Sequence, residues 1–280
     1  MPKWQDPAIL AADSNALVKF QLVVVGIYIW EFVTTLGYDW SYITGWRSWK
    51  WTTWLYEGCR LSVLASLTVI AIGFGSLSGL NCKVLIKFTL MFPYLGELFA
   101  SSLIAVRAIA IWNRNTYIVV PAVSALLAQL CVLISFVVII NPKVDSPESC
   151  TINIADETLP FVIATLVSDI VLFLCMFTGL WRHRESRRFG VFRFLWDQGL
   201  VWIAAAVVAE VPPIVFLGLN LNDPFDLMFQ QSGLIILSIA ATRMYRGLTN
   251  FRSGRIEWTF TKDPRYVTRA GTTHALTHRR

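Results

Sequence analysis

Charge is what this chain lacks most. Only 15% of its 280 residues are Asp, Glu, Lys or Arg, while 55% are hydrophobic. A soluble domain of ordinary composition carries about a quarter charged residues, so a conventional water-exposed globule is excluded. Histidine is scarcer still. His183, His274 and His278 are the whole supply, and none falls in an apolar run. With the membrane cysteines isolated from one another, no zinc site of the intramembrane-hydrolase kind can be assembled. The last apolar run contains no lysine, which excludes a retinal Schiff base. Gly73-Phe74-Gly75 closes a helical pattern without the context of a phosphate-binding loop. No paired-aspartate motif for diphosphate chemistry occurs, and no Asn-x-Ser/Thr sequon. The sequence therefore predicts no metal and no cofactor.

What is present is a series of apolar segments, each about the 18 or more residues that suffice to cross a bilayer. They are continuous, not alternating. Backbone satisfaction in lipid allows only helices or closed barrels, so the expected class is all-α, a polytopic seven-transmembrane helix bundle. The predicted spans are Ala16–Tyr38, Thr53–Phe74, Lys83–Trp112, Tyr117–Ile140, Leu159–Trp181, Phe194–Leu219 and Phe225–Tyr245. A polar tail, residues 1–15, precedes the bundle at 16–245, and a basic tail follows at 246–280. The start lacks a cleavable signal pattern, so the first span is expected to act as its own insertion signal. The stretch Cys82–Arg114 anchors this layout, with a cysteine at one end, basic residues at the other and Glu97 between them.

Loop charge predicts orientation. The first loop holds Arg47 and Lys50, and the third ends at Arg114. The fifth carries five arginines, Arg182, Arg184, Arg187, Arg188 and Arg193, against one acid, and the last tail has eight bases against two acids. The fourth loop has four acids and one lysine, and the sixth two acids and no base. Positive loops stay cytoplasmic, which puts the N-terminus outside and the C-terminus inside. Trp40, Trp46, Trp49, Trp51, Trp54, Trp112, Trp181 and Trp196 all fall at the ends this assigns to the cytoplasm, as an interfacial belt would. The tail's charge equals the whole net charge of +6, so the basic balance points to anionic lipid at the inner face, at about 1 kcal/mol per residue. It requires no nucleic acid. Met244, Leu248 and Phe251 recur at helical spacing, as in a short helix on the inner leaflet. Residues beyond about Asp263 read as disordered.

Cys59, Cys131 and Cys175 lie in apolar runs and read as small buried hydrophobes. Cys82 and Cys150 fall outside on the same, oxidising side, and a disulfide between them is expected, although spacing alone does not fix connectivity. Charges within the spans are costly and tend to face a bundle interior or cavity. Glu57 and Arg60, three apart, share a face and are expected to pair. Arg107 and Arg243 sit near cytoplasmic ends and are expected to reach the surface. Glu31 lies within the first span. Glu97, Asp169 and Glu210 lie deep, Glu210 just before Pro212-Pro213, which must free backbone carbonyls. With Gln230 and Gln231 they would line an outward-opening polar cavity. An interhelical network that only specifies packing accounts for them equally well.

The stretch Asp197–Tyr245 contains Glu210-Val211-Pro212-Pro213, Asn220-Leu221-Asn222-Asp223-Pro224-Phe225 and Ala240-Ala241-Thr242-Arg243-Met244-Tyr245. It resembles a large group of fungal seven-helix integral membrane proteins. Trp30-Glu31-Phe32 through Tyr38-Asp39 resembles the N-terminal domain of unknown function found in many of them, and Arg107 with Ile111-Trp112-Asn113-Arg114 is similar to their third-helix ending. The resemblance implies the membrane architecture and no particular activity. The outside N-terminus and the Cys82/Cys150 placement are also similar to G-protein-coupled receptors. However, no acid precedes Arg107, and the last span lacks Asn-Pro-x-x-Tyr.

Three functions are compatible with these features. The first is a receptor-like protein sensing a small ligand from the non-cytoplasmic side, with the Arg182–Arg193 loop and the tail meeting a cytoplasmic partner protein. The second is a transporter or channel in which Glu97, Asp169 and Glu210 carry a proton or cation, although an odd span count without an inverted repeat disfavours the common transporter folds. The third is an integral membrane enzyme, such as a cyclase protonating an apolar substrate with a buried acid.

Overall fold

The computed structural model describes residues 7–75, 82–113, 115–139, 144–146, 149–150, 154–182, 208–209, 211–216, 218–219 and 229–252. Five long helices come first: α1 (Pro7–Ile43), α2 (Trp51–Gly75), α3 (Cys82–Ile111), α4 (Thr116–Ile139) and α5 (Ile154–Arg182). Residues 211–216 are helical, and α6 (Gln230–Arg252) closes the described chain. Between α4 and α5, two short strands, β1 (Val144–Ser146) and β2 (Ser149–Cys150), pair antiparallel. The chain divides into compact units at Met1–Tyr245 and Arg246–Arg280.

Among the described residues five helices are long and apolar enough to cross a membrane: Ala11–Ile43, Trp51–Ile72, Lys87–Ile111, Thr116–Ser135 and Val162–Gly179. Their outward faces are as apolar as a core. Leu22, Val23, Ile27, Trp30 and Val33 are exposed along α1, and Val120, Leu127, Ile134 and Val138 along α4. Contiguous apolar surface on this scale is foreign to a soluble monomer and suits contact with lipid. This is the build of a multi-pass integral membrane protein.

α1 starts nine residues before the predicted span, because Ala8, Ala11 and Ala12 favour helix beyond the apolar run. α5 starts five residues early, at Ile154. α3 is the central element and packs against α2, α4 and α5. Gly58 and Gly96 permit the α2–α3 approach. A Cβ on Gly58 would stand 2.9 Å from the Phe99 ring, and one on Gly96 would stand 3.1 Å from Val63. Small residues serve helix contact in lipid because packing, not apolar desolvation, drives association there. The main core joins Tyr56 and Cys59 of α2, Ala100 to Ala108 of α3, Leu172 to Met176 of α5, and Leu237 to Tyr245 of α6.

Trp112 departs from the expected belt. Its indole N–H donates to the Cys175 carbonyl at 2.9 Å, and its ring covers Gly179, where a Cβ would lie 2.5 Å from the indole nitrogen. Trp112 is thus a clamp between α3 and α5. Trp40, Trp46, Trp49, Trp51, Trp54 and Trp181 are exposed, as belt residues should be. Cys131 is also exposed, in contrast to the expectation of burial, while Cys59 is buried.

Candidate functional site

Chain direction gives the bundle two ends. One gathers the C-terminal ends of α1, α3 and α5 with the start of α2. Here it is called the basic end, after Arg47, Lys50, Arg107 and Arg182. The starts of α1, α3, α5 and α6 gather at the other, acidic end. A cavity of about 240 Å³ lies in this second half, a little below the ~300–1,000 Å³ typical of ligand sites.

α3 supplies one wall, Thr89, Leu90, Pro93, Tyr94 and Glu97, at the three- and four-residue spacing of one helix face. α6 faces it with Gln230, Gln231, Gly233, Leu234 and Leu237, and α5 with Val162, Thr165 and Leu166. Leu17 and Gln21 of α1, Ile70 of α2, and Pro213 and Ile214 complete the lining. Among the described residues Glu97 is the only charged one in the lining, beside Thr165 and within electrostatic reach of Asp169. Gln230 donates to the Tyr94 hydroxyl at 2.8 Å, and Gln231 donates to Ser66 at 3.3 Å. The structure therefore brings Glu97, Gln230 and Gln231 to one cavity, whose walls also include α1 and α2.

Asp169 is not in the lining. It is 1% exposed and accepts hydrogen bonds from Ser101 of α3 at 2.6 Å and from Gln129 of α4 at 3.2 Å. These contacts tie three helices together beneath the cavity. Glu210 lies outside the described residues, as do Arg114, Arg184, Arg187, Arg188 and Trp196. The side chains of Cys82 and Cys150 do too, although the backbone of Cys150 pairs with Val144 in the β-ribbon.

The basic half corrects three expectations. Arg60 does not pair with Glu57. Its guanidinium reaches across to α1, where Nη2 meets Asp39 at 3.0 Å and Nη1 donates to Thr35 at 2.6 Å and to Tyr56 at 2.7 Å. Nη2 also donates to the Phe32 carbonyl at 3.0 Å. Asp39 prevails over Glu57 because this pocket also satisfies the remaining donors, which an intrahelical pair at three-residue spacing cannot do. Arg243 does not reach freely to the surface. It forms a two-pronged ion pair with Glu31 of α1, Nε to Oε1 at 3.0 Å and Nη2 to Oε2. Arg107 is buried at 8% exposure, within electrostatic reach of Tyr245 of α6. Arg182 does lie exposed, 5.5 Å over the Trp112 ring.

Sequence reasoning missed Asp39, which the predicted end of the first span left in a loop. It also missed Ser101, Gln129 and Thr165. Gln129 had a visible signal, as an amide inside an otherwise apolar run, but its partner on another helix was not legible. Tyr94 had none. Among the described residues, no group of three or more His, Cys, Asp or Glu is disposed to hold a metal ion. No known family model matches the chain, and no curated protein matches it.

Proposed function

We propose that this chain is a receptor-like seven-helix membrane protein whose cavity takes a small ligand from the non-cytoplasmic side. The observation that carries the reading is the contrast between the cavity and what lies below it. A carboxyl and several amides and hydroxyls converge on a mostly aliphatic hollow, the usual build of a small-molecule site. Beneath the Asp169 layer, Ile104, Ala105, Ala108, Leu172, Met176 and Ala241 form a closely packed plug that is apolar apart from the buried Arg107, Ser238 and Thr242. Ions and protons need polar groups or water to cross such a layer, so the plug favours sensing over transport. The neighbouring acids Glu97 and Asp169 favour the second reading, proton- or cation-coupled transport, in which the plug would have to open.

The seven-span count, the N-outside orientation and membership of the fungal seven-helix group belong to the same proposal. They are supported by the alternation of loop charge and by the motifs of the sixth and seventh predicted spans. A Cys82–Cys150 disulfide would tether the β-ribbon to the start of α3, and the basic loop and tail would meet anionic lipid and a cytoplasmic partner protein. The test is a flux assay on the full chain in proteoliposomes holding a pH-sensitive dye, paired with native mass spectrometry of the purified protein. A receptor leaves an imposed proton gradient intact and carries a small-molecule adduct that Leu234→Trp removes. Dissipation of the gradient that Glu97→Gln stops would replace the receptor by the transporter.

A further inference from the structure

We infer that the ligand class of this cavity is a protonated amine on a compact apolar body. The inference rests on the reading of the cavity as a ligand site.

Charge comes first. In the α1–α2–α6 part of the bundle Asp39 is paired with Arg60 and Glu31 with Arg243, while Glu57 lies near Asp39 and Arg60 without an ion pair of its own. Among the described residues Glu97 has no basic side chain within ion-pair distance, and it is the only charged group on the cavity wall. The charged group within its electrostatic reach, Asp169, is another acid. A cationic guest supplies what the wall lacks, while an anionic one would face both carboxyls.

Backbone chemistry points the same way. Pro93 has no N–H to offer the Thr89 carbonyl one turn earlier, and both residues line the cavity one and two turns from Glu97. Pro213 likewise cannot serve the Ala209 carbonyl, which lies at the cavity edge, 3.1 Å from where a Gly233 Cβ would stand. The wall thus offers a carboxylate and carbonyls released by proline. One N–H of Gln230 and one of Gln231 are already engaged with Tyr94 and Ser66. An acceptor-rich wall suits an ammonium, which carries only donors. Leu17, Ile70, Leu90, Leu166, Ile214 and Leu234 supply the surface for an apolar body, which a hydrated metal ion would not use.

The experiment uses the full chain in nanodiscs of zwitterionic lipid and three probes of matched shape. These are cyclohexylamine, protonated at pH 7, cyclohexanol, and cyclohexanecarboxylate. Binding is read as a saturable rise in the thermal unfolding midpoint. We expect the amine to bind at least tenfold more tightly than the alcohol and the carboxylate not to bind. Glu97→Gln should remove the amine's advantage over the alcohol, and Leu234→Trp should abolish both. Equal binding of amine and alcohol to the wild-type chain overturns the inference but leaves the cavity as a ligand site. This comparison needs no variant and survives a Glu97→Gln that does not fold. Binding of none of the probes overturns the inference and the ligand-cavity reading together.

Discussion

Arg60 in α2 and Glu97 in α3 stand in the same apolar bundle, yet their surroundings are opposites. Arg60 is met by a carboxylate, two hydroxyls, a backbone carbonyl and the face of Phe32 at 4.4 Å. Tyr28 then caps its own carbonyl at 2.8 Å. Glu97 faces a hollow, with prolines in the wall instead of a partner base. The comparison separates two uses of charge in an apolar setting. The satisfied Arg60–Asp39 pair fixes how α1 and α2 meet, as Glu31–Arg243 does for α1 and α6. An unmatched carboxyl beside empty volume holds interaction capacity open for something else to fill.

The largest expected effect comes from breaking the satisfied side. Arg60→Leu leaves Asp39 buried with its counter-charge gone and should lower stability by about 3–5 kcal/mol. Chemical unfolding of the detergent-solubilised chain checks this. Adding Asp39→Leu to the same chain should recover much of the loss, because the stranded charge is then gone too. If the double variant is no better than the single, the network acts through its shape and not its charge.

Gly179→Ala comes next. Its Cβ would collide with the Trp112 indole and Ile111, and overpacking of this kind costs about 1–3 kcal/mol. Loss of the Trp112–Cys175 bond should appear as a red-shifted tryptophan emission. Ser101→Ala removes the shorter donor to Asp169 and should cost about 1–3 kcal/mol, with Ser101→Thr milder than Ala. Smallest is Glu97→Gln, expected to change stability by under about 1 kcal/mol in either direction, because no protein partner is stranded. A loss as large as that of Arg60→Leu would mean that Glu97 belongs to the packing network, and the contrast between the two halves would collapse.

The helical class and five apolar spans were legible in the sequence because lipid leaves the backbone few options and composition reports it directly. Glu97, Gln230 and Gln231 could be placed in one cavity because each interrupts an apolar run at a similar depth. Partner choice was harder. Arg60 has Glu57 near it in sequence, but the side chain follows the richer pocket on α1, and nothing local marks Asp39 as part of it. Arg243 looked terminal until Glu31 supplied a facing carboxylate. Trp112 could not be told from the belt tryptophans, since what distinguishes it is a glycine sixty-seven residues later.

That last contact gives the protein a built-in optical gauge. The seven other described tryptophans lie open to the surroundings, whereas the partly buried Trp112 commits its indole hydrogen to a carbonyl of the facing helix. Its resonance should exchange with solvent more slowly than those of the exposed indoles, including Trp49, whose N–H meets the Tyr42 carbonyl from an exposed ring. The Trp112 chemical shift should track the separation of α3 and α5. Those two helices carry Glu97 and Thr165, so an event in the hollow could be followed at Trp112 without attaching a dye.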